Sequence, residues 1–123
     1  MQWSLVICSV ALSLSACQPS LEKQLVGEWL SGCSIDICTI TTLKADHTFS
    51  ERFDEKDFPD PSFSGTWRVE ADQLVMHVAS ANSSLQDIIG KDLRLIVSEF
   101  QQKKFVATPT EDPTKLLTWE RRH

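Results

Sequence analysis

From residue 26 to residue 121 apolar and polar side chains alternate with a period of two nearly everywhere. That is the repeat of strands with one buried and one wet face. It predicts strands over 26–31, 37–44, 48–53, 65–70, 73–79, 93–100, 104–108 and 115–121. In 65–70, Trp67 and Val69 share one face while Arg68 and Glu70 share the other; in 73–79, Leu74, Met76 and Val78 align opposite Gln73 and His77. Asp46, between two β-rich runs, marks a tight hairpin turn, and Ala71-Asp72 marks another. The stretch 84–90 breaks the repeat. There Ser84 can cap, Leu85, Ile88 and Ile89 share a helical face, and Gly90 can end the turn, so one short helix is expected. The segment joining the last two contains Pro109 and Pro113, which cannot donate to a sheet. Eight short strands in sequence order predict an all-β fold, an eight-stranded antiparallel up-and-down β-barrel, in which closure removes exposed edges. A two-sheet sandwich is the alternative.

The alternation also predicts an interior: Trp29, Ile37, Phe49, Glu51, Phe53, Trp67, Leu74, Met76, Val78, Leu95, Val97, Phe105 and Trp119. An eight-stranded barrel has room for side chains or one small ligand. Trp29, Phe49, Glu51, Phe53, Trp67, Met76 and Trp119 are the candidates to line such a site. Glu51 stands out, because it shares its face with Phe49 and Phe53. An inward carboxylate is costly unless paired, so it needs Arg68, Arg94 or a ligand, or else the strand ends early and leaves Glu51 at a wet rim. The loop 54–64 carries Asp54, Glu55, Asp57 and Asp60, stiffened by prolines. Its spacing does not fit a calcium loop, and a solvated rim is expected, with no metal. Phe58 and Phe63 flank the prolines and are candidate anchors for a protein partner, or equally candidates to tuck over the barrel mouth.

The amino-terminal segment changes the picture from fold to location. Residues 3–16 are free of charge and mostly apolar, too short to span a bilayer yet of the length of a signal-peptide core. Leu14-Ser15-Ala16-Cys17 resembles the lipobox of bacterial lipoproteins. The resemblance implies cleavage before Cys17, a diacylglycerol thioether on its sulfur and acylation of the new amine. Two or more acyl chains, at roughly 0.8 kcal/mol per buried methylene, anchor stably. Gln18 is not the aspartate that favours inner-membrane retention, so the resemblance points to the periplasmic face of the outer membrane. Residues 1–16 lack Lys and Arg, which leaves an ordinary signal peptide or a buried helix as alternatives. The domain reading is a signal over 1–16, a tether over 17–24 and one barrel domain over 25–123. A tether this short would hold the barrel near the membrane and favour partners in or near the lipid layer.

Composition narrows the chemistry. The net charge of −5 and the shortness of the basic pairs Lys103-Lys104 and Arg121-Arg122 argue against nucleic acid. In an oxidising compartment Cys33 and Cys38 are expected to form a disulfide. Its short loop gives roughly 2 kcal/mol on a chain-entropy argument. No nucleophile elbow, zinc-protease helix or phosphate loop occurs, so no enzyme and no cofactor are expected.

Leu25-Val26-Gly27-Glu28-Trp29 resembles the G-x-W start of lipocalin and avidin-like barrels, and Leu43-Lys44-Ala45-Asp46-His47-Thr48-Phe49 with Gly65-Thr66-Trp67-Arg68-Val69 is similar to small bacterial lipocalin-like domains. The resemblance implies that Trp29 plugs one barrel end under a late arginine, Arg121 or Arg122. It also implies a binding module for a small apolar ligand. The alternative is a protein-interaction module, such as an inhibitor of an envelope peptidase or lysozyme. Radiolabelled palmitate is expected to label the native chain and not Cys17→Ala; equal labelling of both would place the lipid elsewhere.

Overall fold

Each alternating run becomes a strand because its apolar face has the same interior to cover. The computed structural model describes residues 20–33, 37–54 and 62–122. Its strands are β1 (Gly27–Ser31), β2 (Thr39–Leu43), β3 (Thr48–Phe53), β4 (Phe63–Glu70), β5 (Gln73–Ala81), β6 (Asp92–Gln101), β7 (Lys104–Pro109) and β8 (Leu117–Arg121). Each pairs antiparallel with its sequence neighbour, and β1 pairs with β8 through Trp29 opposite Arg121, so the sheet is a closed eight-stranded barrel. The up-and-down expectation holds, and the two-sheet sandwich is excluded. Among the described residues no helix is long and apolar enough to cross a membrane.

Most strand edges shift by one or two residues from the sequence reading, β7 taking in Pro109 opposite Leu95, and two of the shifts have a packing reason. β4 starts at Phe63, two residues early, because Phe63 pairs with Glu51 and Ala81 and sets its ring 6.0 Å from Phe49. β5 runs on to Ala81 through a bulge, with Gly65 opposite Val78 and Ser64 opposite Ser80, so Ala79 is the extra residue. The bulge presses β5 onto Gly65: a Cβ there would stand 1.8 Å from the carbonyl oxygen of His77. Residue 65 therefore has to be glycine.

The helical elements also differ. Residues 21–24, expected as irregular tether, form most of α1 (Leu21–Leu25), with Ser20 accepting from the Lys23 N–H as its cap. Leu25 is wholly buried, and this burial holds the segment against the barrel. The expected helix at 84–90 is a 3-10 helix (Ser83–Ile88), capped by Asn82 rather than Ser84 and interrupted at Leu85 (φ −123°). Asn82 takes the cap because its carboxamide oxygen accepts from both the N–H and the hydroxyl of Ser84.

Strand order sorts the connections by length. The tight turns after β2, β4 and β6 lie at one end, beside α1; the long connections after β1, β3, β5 and β7 lie at the other. The first end is closed by side chains. Trp29 is fully buried, its indole N–H donates to the Leu25 carbonyl at 2.9 Å, and its ring meets Phe105 edge-on at 4.8 Å. Arg121 lays its guanidinium 4.2 Å over the same ring. It donates to the carbonyls of Gln24, Val26 and Gln102 at 2.8, 3.0 and 3.2 Å. Gly27 leaves room for this arginine, since a Cβ at that position would stand 2.6 Å from Nη1. Of the two arginines considered, Arg121 thus covers Trp29, while Arg122 pairs outside with Glu28 at 3.4 Å.

Charged hydrogen bonds contribute about 1.5–3 kcal/mol each, less where water replaces the partner. Arg121→Ala is therefore expected to lower unfolding free energy by about 3 kcal/mol. Arg121→Lys should recover less than half of that, because an ammonium cannot fork to three carbonyls. Urea denaturation followed by tryptophan fluorescence measures both.

Candidate ligand cavity at the open barrel end

The end opposite Trp29 is not filled. A cavity of about 420 Å³ opens there, between β1, β2 and the β6–β8 side of the barrel. Its apolar wall is Phe63, Met76, Leu93, Leu95, Leu117 and Trp119. These are inward positions of β4, β5, β6 and β8, placed by strand alternation. Ser31, Gly32 and Thr39 border it beside the Cys33–Cys38 disulfide, which closes the β1–β2 connection with an S–S distance of 2.06 Å.

Glu51 is the ionisable group of the interior. Register sets it between Thr41 on β2 and Phe63 on β4, and its side chain reaches the cavity. The Thr41 hydroxyl, itself fully buried, donates to Glu51 Oε1 at 3.0 Å. Among the described residues no cation pairs with this carboxyl. Removal from water disfavours its charged form more than Thr41 favours it, and its pKa is pushed up to about 7.

A second polar group sits nearby without a partner. Among the described residues the indole N–H of Trp119 is the one buried side-chain polar atom that makes no hydrogen bond. Leaving such a donor unmade costs about 1–3 kcal/mol. Trp119 is also the residue whose ring packs against Phe105, at 5.3 Å, between the cavity and the closed end.

The two arginines considered as partners of Glu51 lie on the outer face. Arg68 bonds Glu70 and, at 3.4 Å, Asp92; Arg94 bonds Glu70 at 2.9 Å and Gln73 at 3.2 Å. Register puts Val75 between Arg68 and Arg94, and it is wholly buried although it points outward. The arginine stems cover it while their heads stay wet. His77, read as a surface histidine, holds Asp92 at 2.8 Å on this same face. That hydrogen bond, with help from Arg68, keeps the Asp92 carboxyl below its usual range. Asp92 and Arg94 border the cavity mouth, so the outer network also fixes part of its rim.

The seven interior candidates divide three ways. Glu51, Met76 and Trp119 border the cavity. Trp29, Phe49 and Trp67 are buried in the packed core instead, Trp67 with its N–H on the Lys44 carbonyl at 2.9 Å. Phe53 is 43% exposed, because β3 ends there and the barrel wall no longer covers it. Ile37 lies before β2 begins and is half-buried. Phe63, read either as an exposed anchor or as tucked over the mouth, is 8% exposed in the cavity wall, since it belongs to β4 rather than to the loop. Phe58 lies outside the described residues, as do Cys17 and the acidic positions 55–60. Leu93, Leu117 and the 109–111 segment were missed. Their signal was available only jointly: inward phase, at a strand end next to a long connection.

No protein-family model and no curated protein matches the chain.

The Glu51 carboxyl makes stability depend on pH. Its pKa is 4.5 ordinarily and about 7 in the folded chain, so between these values the folded state keeps a proton the unfolded state has lost. Its contribution is complete below pH 4.5 and is lost as pH rises through 7, by at most roughly 3 kcal/mol. Urea unfolding of Glu51→Gln at pH 5 and pH 8 is expected to show a flatter dependence than the native protein, and greater stability than the native protein at pH 8.

Proposed function

We propose that the chain is a non-enzymatic, lipid-anchored binding module whose barrel takes up one small, largely apolar ligand. The cavity of about 420 Å³ carries this reading. Its size lies within the range of ligand sites, about 300–1,000 Å³, and it joins a mostly apolar wall to a few polar groups, as such sites do. At about 30 Å³ per water it holds a molecule on the order of fifteen non-hydrogen atoms. The resemblance to lipocalin-like domains and the closed barrel end under Arg121 agree with that use.

The anchor is read from Cys17, three residues before the cap Ser20. The chain enters the fold at the closed end: α1 meets that end through Arg121 and through Glu22, which pairs with His47 at 2.9 Å. A lipid on Cys17 would therefore hold the closed end toward the outer membrane and turn the mouth toward the periplasm. That geometry favours a ligand arriving from the aqueous side. It sets this proposal apart from the expectation, drawn from tether length, of partners in or near the lipid layer.

A protein-interaction module remains the second reading, favoured by one observation. The exposed large hydrophobics Phe53, Ile89 and Leu116 all sit at the open end. Native mass spectrometry of the full-length protein from membranes separates the two. The binding module predicts a co-purifying small molecule, lost in Met76→Trp, which fills the cavity. A stoichiometric protein retained by that variant would favour the second reading instead.

A further inference from the structure

We infer that the ligand is a small apolar cation, such as an amine or amidine, whose charged end meets Glu51 while its body lies against Phe63, Met76, Leu95 and Trp119. This rests on the ligand-binding reading above and specifies the ligand's chemistry.

Three observations lead there. Glu51 reaches the cavity with one oxygen held by Thr41, and among the described residues no cation answers its charge. A carboxylate withdrawn from water is unfavourable until a proton or an opposite charge joins it. Among the described residues the barrel supplies no opposite charge at that point, because Arg68 and Arg94 pair with Glu70 and Asp92. A bound cation would supply one.

The wall beside Glu51 is aromatic as well as aliphatic. Phe63 is its register neighbour on β4, and Trp119 borders the same space. Aromatic faces attract ammonium and amidinium groups by roughly 0.5–2 kcal/mol, which a neutral ligand of the same shape forgoes.

The mouth selects the same sign of charge. Its other charged residues, among those described, are Asp92, Glu111 and Arg94. Two carboxylates against one guanidinium leave this rim net acidic, and a net acidic rim favours cations over carboxylates. A fatty-acid-like ligand would bring a second carboxyl toward Glu51 and meet like charge at both ends.

Three isosteric probes test this on the full-length protein by calorimetry: 1-naphthylmethylamine, 1-naphthalenemethanol and 1-naphthoate. At pH 8 the amine is expected to bind about tenfold or more tighter than the alcohol, and the carboxylate more weakly than both. Glu51→Gln should erase the preference for the amine and keep the alcohol's affinity. In the native protein the amine has to displace the Glu51 proton, so its affinity should fall about tenfold from pH 8 to pH 6 while the alcohol's stays constant. The comparison of the three probes on the native protein decides the matter even where the variant does not fold. An amine no tighter than the alcohol, or a tightest-binding carboxylate, overturns the cation and leaves the ligand cavity standing. Failure of all three probes to bind overturns both.

Discussion

Arg121 stacked on Trp29 is the contact from which the barrel's asymmetry follows. It sits where the last strand meets the first, so the residue that completes the sheet also closes one end of the space inside. Its three backbone acceptors come from the lead-in to β1 and from the β6–β7 turn. One planar cation thereby ties both chain ends of the barrel to a turn, in a way a single-point charge could not. Gly27 has to lack a side chain for the guanidinium to pass, and Leu25 has to be helical to present its carbonyl to the Trp29 indole. With aromatic rings packed at this end, free volume is confined to the other.

The open end owes its character to topology. In an up-and-down barrel every second connection falls at the same end, and here the longer ones all fall opposite α1. The cavity opens at the end where the long connections fall, and the disulfide between Cys33 and Cys38 closes the first of them. The outer network of Arg68, Glu70, Arg94, Asp92 and His77 adds little stability by itself, since its members are largely exposed. It covers Val75 and engages Arg94 with Glu70, Gln73 and Asp92. The unpaired state of the interior carboxyl is thus a consequence of where the cations are spent.

Glu51 illustrates how fold and chemistry meet. Strand period makes it point inward with Phe49, and pairing makes Thr41 its neighbour. Neither Thr41 nor the aromatic rings can neutralise a charge, so the carboxyl holds its proton to a higher pH than usual. The cost of keeping such a group inside a barrel is consistent with a site whose electrostatic complement arrives from outside.

Alternation in the chain was enough to establish the strands, their order and most inward positions, because a period of two is a local property of the backbone. β3 could be read to the residue, and the resemblance at Gly27-Glu28-Trp29 suggested a tryptophan under a late arginine, while the structure chose Arg121 over Arg122. The sequence also carried the cysteine pairing, through close spacing in a chain with few thiols. Tertiary structure decided the rest. Whether Phe63 anchors a partner or walls a cavity depended on two residues of strand extension, driven by its contact with Phe49. Whether Phe53 lies inside depended on where the barrel wall stops. Which interior residues pack and which border empty space depended on which end the side chains of Trp29, Phe105 and Arg121 fill. These are non-local outcomes of register and volume, and periodicity along the chain carries no measure of volume.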